Sequence, residues 1–241
     1  MKRRSILKAG LALISTATAA AVYRPVGAAT RILMGGTKWL AKETPPPVPV
    51  DPTKRVFFTE QEAAQIGAIF NRLIPADEVS AGATDAGCVV FIDHQLDGPY
   101  GHGSWKYKAG PFQTGTDSQG DQSPLTPAEC YRKGLADIDA YCKKTFSKSF
   151  DGLSNAQQDQ LLEEMEAGKL SLPSVNSGVL FKQFLANVQE GYFADPIYGG
   201  NKDMVGWKMI GFPGARYDYR DYAEKKGQKL DIEPVSIAGH I

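Results

Sequence analysis

The sequence predicts an all-α fold: a single compact helical domain with long loops, preceded by a Pro-rich extended arm and a cleaved signal. Three observations carry that expectation. Apolar residues recur at helical spacing in five segments, four of which open behind a serine or threonine. No run alternates apolar and polar residues over the length of a strand. The 241 residues, 42% of them hydrophobic, suffice for one sizeable core.

The elements follow in order. Residues 1–29 contain Lys2, Arg3, Arg4, Lys8 and Arg24 and no acidic residue. This basic start leads into an apolar run over residues 9–22 and small residues at 26–29, the layout of an export signal. The run is shorter than the roughly 20 apolar residues of a spanning helix. Arg3 and Arg4, followed by Leu7 and Lys8, resemble the twin-arginine form of that signal, which the Tat translocase reads; Lys2 and Ile6 depart from its commonest pattern. Residues 30–57 form the arm. Pro45, Pro46, Pro47, Pro49 and Pro52 enforce extended polyproline backbone, which loses little entropy on docking and suits a strap laid over another surface.

Residues 58–241 form the helical domain with a polar C-terminal tail. Thr59 and Glu62 make a capping box ahead of Ala63, Ile66, Ile69, Phe70 and Leu73, and Pro75 ends the run. Thr84 precedes a second run from Val89 to Leu96, closed by Gly98. Thr126, Pro127 and Glu129 open a third helix, whose stripe is Tyr131, Leu135, Ile138, Cys142 and Phe146. Ser154 and Gln157 cap a fourth, with Leu161, Leu162 and Met165; a fifth holds Val179, Leu180, Phe184, Leu185 and Val188. Between the second and third lies a loop over residues 97–124, with Tyr100, Trp105, Tyr107 and Phe112, long enough to be functional or packed on something.

Charge and motifs exclude several classes. The chain is formally neutral, with 27 basic and 27 acidic residues, so no cationic excess exists for nucleic acid. Cleavage near Ala29 removes five basic residues and leaves 22 against 27, a net charge of about −5. An acidic surface gives no reason for direct contact with anionic lipid, so attachment to a membrane falls to a partner. The dinucleotide fingerprint, the C-x-x-C-H haem motif and the G-x-S-x-G elbow are absent from the sequence. Asp93, His94 and His102 match no zinc spacing, and the two histidines read as exposed loop residues; Glu163 and Glu164 read as a solvated helix face. The chain is therefore expected to hold no catalytic, cofactor-binding or metal-binding residue of its own.

The three cysteines are Cys88, Cys130 and Cys142. On one helix, Cys130 and Cys142 stand roughly 18 Å apart and do not pair. Cys88 has either as a partner, which leaves an odd thiol, buried and inert or bonded to another chain. Cys142 sits on the apolar stripe; Cys130, near a helix start, is the candidate intersubunit thiol.

The most distinctive segment runs through Gly191, Tyr192, Phe193, Ala194, Asp195, Pro196, Ile197, Tyr198, Gly199, Gly200 and Asn201, and on through Gly206, Trp207, Ile210, Gly211, Phe212, Pro213 and Gly214. It reads as a helix end, an Asp-Pro turn, a Gly-Gly turn, a short helix opened by Asn201 and a Gly/Pro turn. Aromatic rings on rigid turns suit a preformed contact surface or the domain's own core. Its candidate interface residues are Tyr192, Phe193, Asp195, Pro196, Tyr198, Gly199, Gly200, Asn201, Trp207, Phe212 and Pro213.

Those residues, with the twin-arginine start and the Phe58-Thr59-Glu60 opening that leads to Leu73-Ile74-Pro75, resemble the gluconate 2-dehydrogenase subunit 3 family over nearly the whole mature chain. The resemblance implies the small subunit of a bacterial membrane-bound dehydrogenase for sugars or sugar acids. In such complexes a large subunit carries FAD and a multihaem cytochrome c passes electrons onward. The small subunit holds no cofactor and serves maturation and twin-arginine export of the flavoprotein, to the periplasmic side of the inner membrane. Relatives act on gluconate, fructose, glucose or sorbitol; the aromatic loop looks most like the gluconate type. A stand-alone periplasmic binding or structural protein is the reading of another class.

Overall fold

The computed structural model describes residues 48–106, 110–113, 115–120 and 122–239. The signal residues Arg3, Arg4, Leu7 and Lys8 and the arm up to residue 47 lie outside the described residues. The described part contains six α-helices: α1 (Glu60–Leu73), α2 (Cys88–Asp97), α3 (Pro127–Phe146), α4 (Asn155–Glu166), α5 (Ser177–Phe193) and α6 (Val205–Ile210). Short 3-10 turns connect them, and the described residues include no strand, only isolated bridges at Gly214–Val235 and Ser236–Gly239.

Local chemistry sets most helix starts. Thr59, Thr126 and Ser154 each accept from the backbone N–H three residues on, while Glu62, Glu129 and Gln157 accept from the cap's own N–H. Two unpaired donors are satisfied at each terminus by this exchange. The start of α2 differs from expectation. Thr84 does not cap it; its hydroxyl donates to the Gly67 carbonyl and its N–H to Asn71 Oδ1, tying the preceding turn to α1. Gly87, at φ 81°, makes the entry instead. A Cβ there would stand 2.4 Å from the Gly199 carbonyl oxygen, so the glycine also permits close approach of the distinctive segment.

Helix α5 is the centre of the domain, packing against each of the other five helices. Its buried face is Leu180, Phe181, Phe184, Val188 and Tyr192. Glycines bring its neighbours close. Gly134 on α3 faces Leu180, and Gly191 on α5 faces the Phe91 ring, each with no space for a Cβ. Asn187, buried on α5, accepts from the Tyr100 and Tyr131 hydroxyls at 2.9 and 3.0 Å and donates to Glu190. A buried amide bonded at both its oxygen and its nitrogen fixes which rotation of α5 the core accepts.

The described end of the arm is strapped to this domain. The Val50 N–H donates to the Ile197 carbonyl at 2.9 Å. Asp93, buried on α2, then accepts three backbone N–H groups in succession: Val56 on Oδ2, and Phe57 and Phe58 on Oδ1, at 2.7 to 3.1 Å. Arg132 closes the strap from outside, its guanidinium 4.1 Å from the Phe57 ring centre and paired with Glu62. The two histidines separate. His94 belongs to α2 and meets the Lys54 carbonyl through Nε2 at 3.0 Å, so the reading of it as an exposed loop residue is corrected; His102 is exposed in the turn after α2.

Candidate functional site

The distinctive segment forms a frame with apolar groups on its outside. Tyr192 is buried, and its hydroxyl donates to the Ala81 carbonyl at 2.7 Å. Trp207 is buried, and its indole Nε1–H donates to the Phe193 carbonyl at 2.8 Å. Asn201 is fully buried, donating to the Ala194 carbonyl and accepting from the Gly206 N–H. It stands at the opening of the short 3-10 turn Lys202–Met204, as expected, but its side chain serves the Gly206 N–H in the first turn of α6 rather than capping that turn. The backbone here is held in an unusual path. Asn201, Asp203 and Met204 have φ of 47°, 56° and 57°, each at a cost of about 1 kcal/mol without glycine's freedom. Strain at three positions persists because the bonds of Asn201, Asp195 and Trp207 over-determine the path.

Asp195 ties in a segment that the sequence reads only as a polar tail. Its carboxylate accepts from the Ile197 N–H, the Ser236 hydroxyl at 2.6 Å and the Ile237 N–H at 2.8 Å. The polar tail is without a helix over residues 231–239, as expected, yet residues 235–239 are pinned to the domain: Val235 pairs with Gly214, and Ser236 is buried. Gly200 and Gly206 complete the frame, since a Cβ on either would approach a backbone oxygen, of Gly191 or Tyr192, within 2.4 Å.

Of the eleven candidate interface residues, Tyr192, Asp195, Gly200, Asn201 and Trp207 are thus interior and set the shape. Pro196, Gly199 and Pro213 are half-buried, while Phe193, Tyr198 and Phe212 are exposed. Met209, Ile210 and Ile237, which sequence reasoning missed as surface residues, are exposed on the same segment or on the tail pinned to it. The rings are linked rather than scattered: Phe193 packs edge-on to Tyr192 at 5.4 Å, and Phe212 edge-on to Trp207 at 5.1 Å. Large apolar groups held in water on a rigid segment have the chemistry of a contact surface.

The cysteines give no disulfide among the described residues, which corrects the pairing considered for Cys88; all three are buried thiols. Cys130 lies at the wall of an open cleft beneath the aromatic loop. Burial pushes the Cys88 thiol up to about 12 and the Cys142 thiol up to about 11. At pH 8 neither offers appreciable thiolate, so iodoacetamide should leave both unmodified in the folded chain and label both in urea, as read by peptide mass. The sign for stability follows. From the usual 9.0 up to about 11 for Cys142 and about 12 for Cys88, the folded state keeps protons that the unfolded chain releases, so stability falls as pH rises through that window.

No group of three His, Cys, Asp or Glu side chains among the described residues is placed to hold a metal ion. No helix among them is long and apolar enough to cross a membrane.

Fold and surface together define a helical protein that presents a stiffened apolar face. The model of the family described as gluconate 2-dehydrogenase subunit 3 matches residues 60–214, from the first residue of α1 through the distinctive segment to Gly214. The chain belongs to that family, and is accordingly a subunit belonging with a dehydrogenase. No curated protein and no solved structure matches it.

Proposed function

We propose that this chain is the non-catalytic small subunit of a heterotrimeric gluconate 2-dehydrogenase. Its partners are an FAD-containing large subunit and a multihaem cytochrome c, which together convert D-gluconate to 2-dehydro-D-gluconate. FAD and haem belong to those partners. The chain's own part is to bind the folded flavoprotein, stabilising it by mass action, and to lend it a twin-arginine address for the periplasmic side of the inner membrane. The observation that carries this reading is the exposed group Phe193, Tyr198, Ile210 and Phe212 on a frame of buried hydrogen bonds. A preorganised apolar face loses little conformational freedom on binding.

The test is a pull-down from the producing cell, read by mass and by flavin and haem absorbance. The native chain should bring down a large flavoprotein and a haem protein. Ile210→Glu combined with Phe212→Glu alters two exposed side chains, 59% and 44% accessible, and should leave the melting temperature unchanged. It should lower flavoprotein recovery at least tenfold, since buried charge at an interface core removes several kcal/mol. Undiminished recovery would show that this face is not the docking surface, and a native chain that purifies alone would remove the subunit reading.

A further inference from the structure

The aromatic loop and α5 enclose an open cleft of about 960 Å³, away from the apolar face. Its floor carries a stacked pair: the Tyr100 and Trp105 rings lie 5.2 Å apart and within 12° of parallel. Tyr100 is itself anchored, donating its hydroxyl to Asn187. Trp105 is thus held from one side, and with 58% of its surface exposed it offers the opposite indole face to the cleft. Amide side chains share the lining of the cleft. Gln113 makes no hydrogen bond among the described residues, while Gln122 and Gln183 use only their NH2 groups, toward the Gln119 carbonyl and the Tyr100 hydroxyl. Each therefore keeps a carbonyl acceptor, and Gln113 its donors as well.

A flat ring face with negative quadrupole, in a cleft also lined by amides and by Lys106, Lys182 and Glu166, has the chemistry that holds a polyhydroxylated carbon chain, carboxylated or not. The C–H edges of such a ligand carry partial positive charge and lie on the indole, and its hydroxyls, each donor and acceptor, pair with the amides. Fatty or aromatic ligands would leave those amides unpaired at a cost. We propose that this cleft is a carbohydrate-binding site for a sugar or sugar acid, with Trp105 as its platform. The site deepens the dehydrogenase reading, since it would retain substrate or product of a sugar-oxidising complex beside it.

The test is saturation-transfer NMR and calorimetric titration of the full chain with D-gluconate and D-glucose as probes. At least one should bind saturably, with transfer strongest to carbon-bound protons. Trp105→Ala should abolish binding or weaken it at least tenfold, and Gln183→Ala should weaken it severalfold. Trp105 is exposed, so the alanine variant is expected to fold, and an unchanged melting temperature checks this. Absence of saturable binding by both sugars, or equal binding by Trp105→Ala, overturns the proposal. The apolar face is untouched by these changes. Absence of sugar binding by the native chain with flavoprotein recovery intact removes only this inference, whereas saturable sugar binding by a native chain that recovers no flavoprotein removes only the subunit reading.

Discussion

Asp93→Ala is expected to destabilise the domain by about 3–5 kcal/mol, because it leaves three backbone donors unpaired, one buried and two partly buried. Among the described residues the carboxylate is the only partner these N–H groups have, and the residues donating them carry Phe58 into the core against Tyr131, with ring centres 6.1 Å apart. Alanine offers no acceptor, and water reaches the Phe58 N–H poorly because that residue is 5% exposed. Asp93→Asn supplies a finer test. Its single amide oxygen can occupy the Oδ1 position, which accepts from Phe57 and Phe58, while the Val56 bond on Oδ2 is lost. The asparagine variant should therefore fall between native and alanine. Urea melts of the three proteins decide the matter, and a loss below about 1 kcal/mol for alanine would mean that the strap is not held by this carboxylate.

Gly206→Ala is the second large effect, expected at about 3 kcal/mol. The added methyl would stand 2.3 Å from the Tyr192 carbonyl oxygen and 3.1 Å from the Phe193 ring. Backbone of the central helix cannot yield, so α6 must move away. That motion stretches the Gly206 N–H bond to Asn201 and the Trp207 indole bond to the Phe193 carbonyl. The expected readout is a lower melting temperature together with faster solvent exchange of the Trp207 indole proton. Gly152→Ala is the matched control: its nearest neighbour stands 3.6 Å away, and the change should stay within about 0.5 kcal/mol. If both alanines behave alike, close packing of the distinctive segment is not what shapes the face.

What the sequence disclosed and what it withheld divide along range of interaction. Thr59, Thr126 and Ser154 are legible as caps because their partners lie three residues on, and the helices they open begin where expected. The distinctive segment is legible as turns, since Pro196, Gly199 and Gly211 stand where short-range geometry asks for them. Which rings face inward is another matter. Tyr192 is interior because its hydroxyl meets Ala81, 111 positions away, and no local pattern contains that. Asp93 and Asp195 look like ordinary surface carboxylates in sequence, yet each gathers three donors. For Asp195, two of the three come from more than 40 positions downstream. Thr84 misled for the opposite reason: it has the chemistry of a cap, but Asn71 and Gly67 on a neighbouring helix claim its polar groups.

The meeting of Val50, Asp195, Ser236 and Ile237 at one turn gives the surface a history in time. A chain leaves the ribosome from its N-terminus, so α1 to α6 exist before residues 236 and 237 emerge. Until then, among the described residues, the Asp195 carboxylate has its neighbour Ile197 as sole donor, and the turn that bears Tyr198 lacks its tie to the tail. The final two donors arrive after every helix is made. The contact face is therefore completed last, and a chain broken off before residue 236 carries all six helices but an unfinished face.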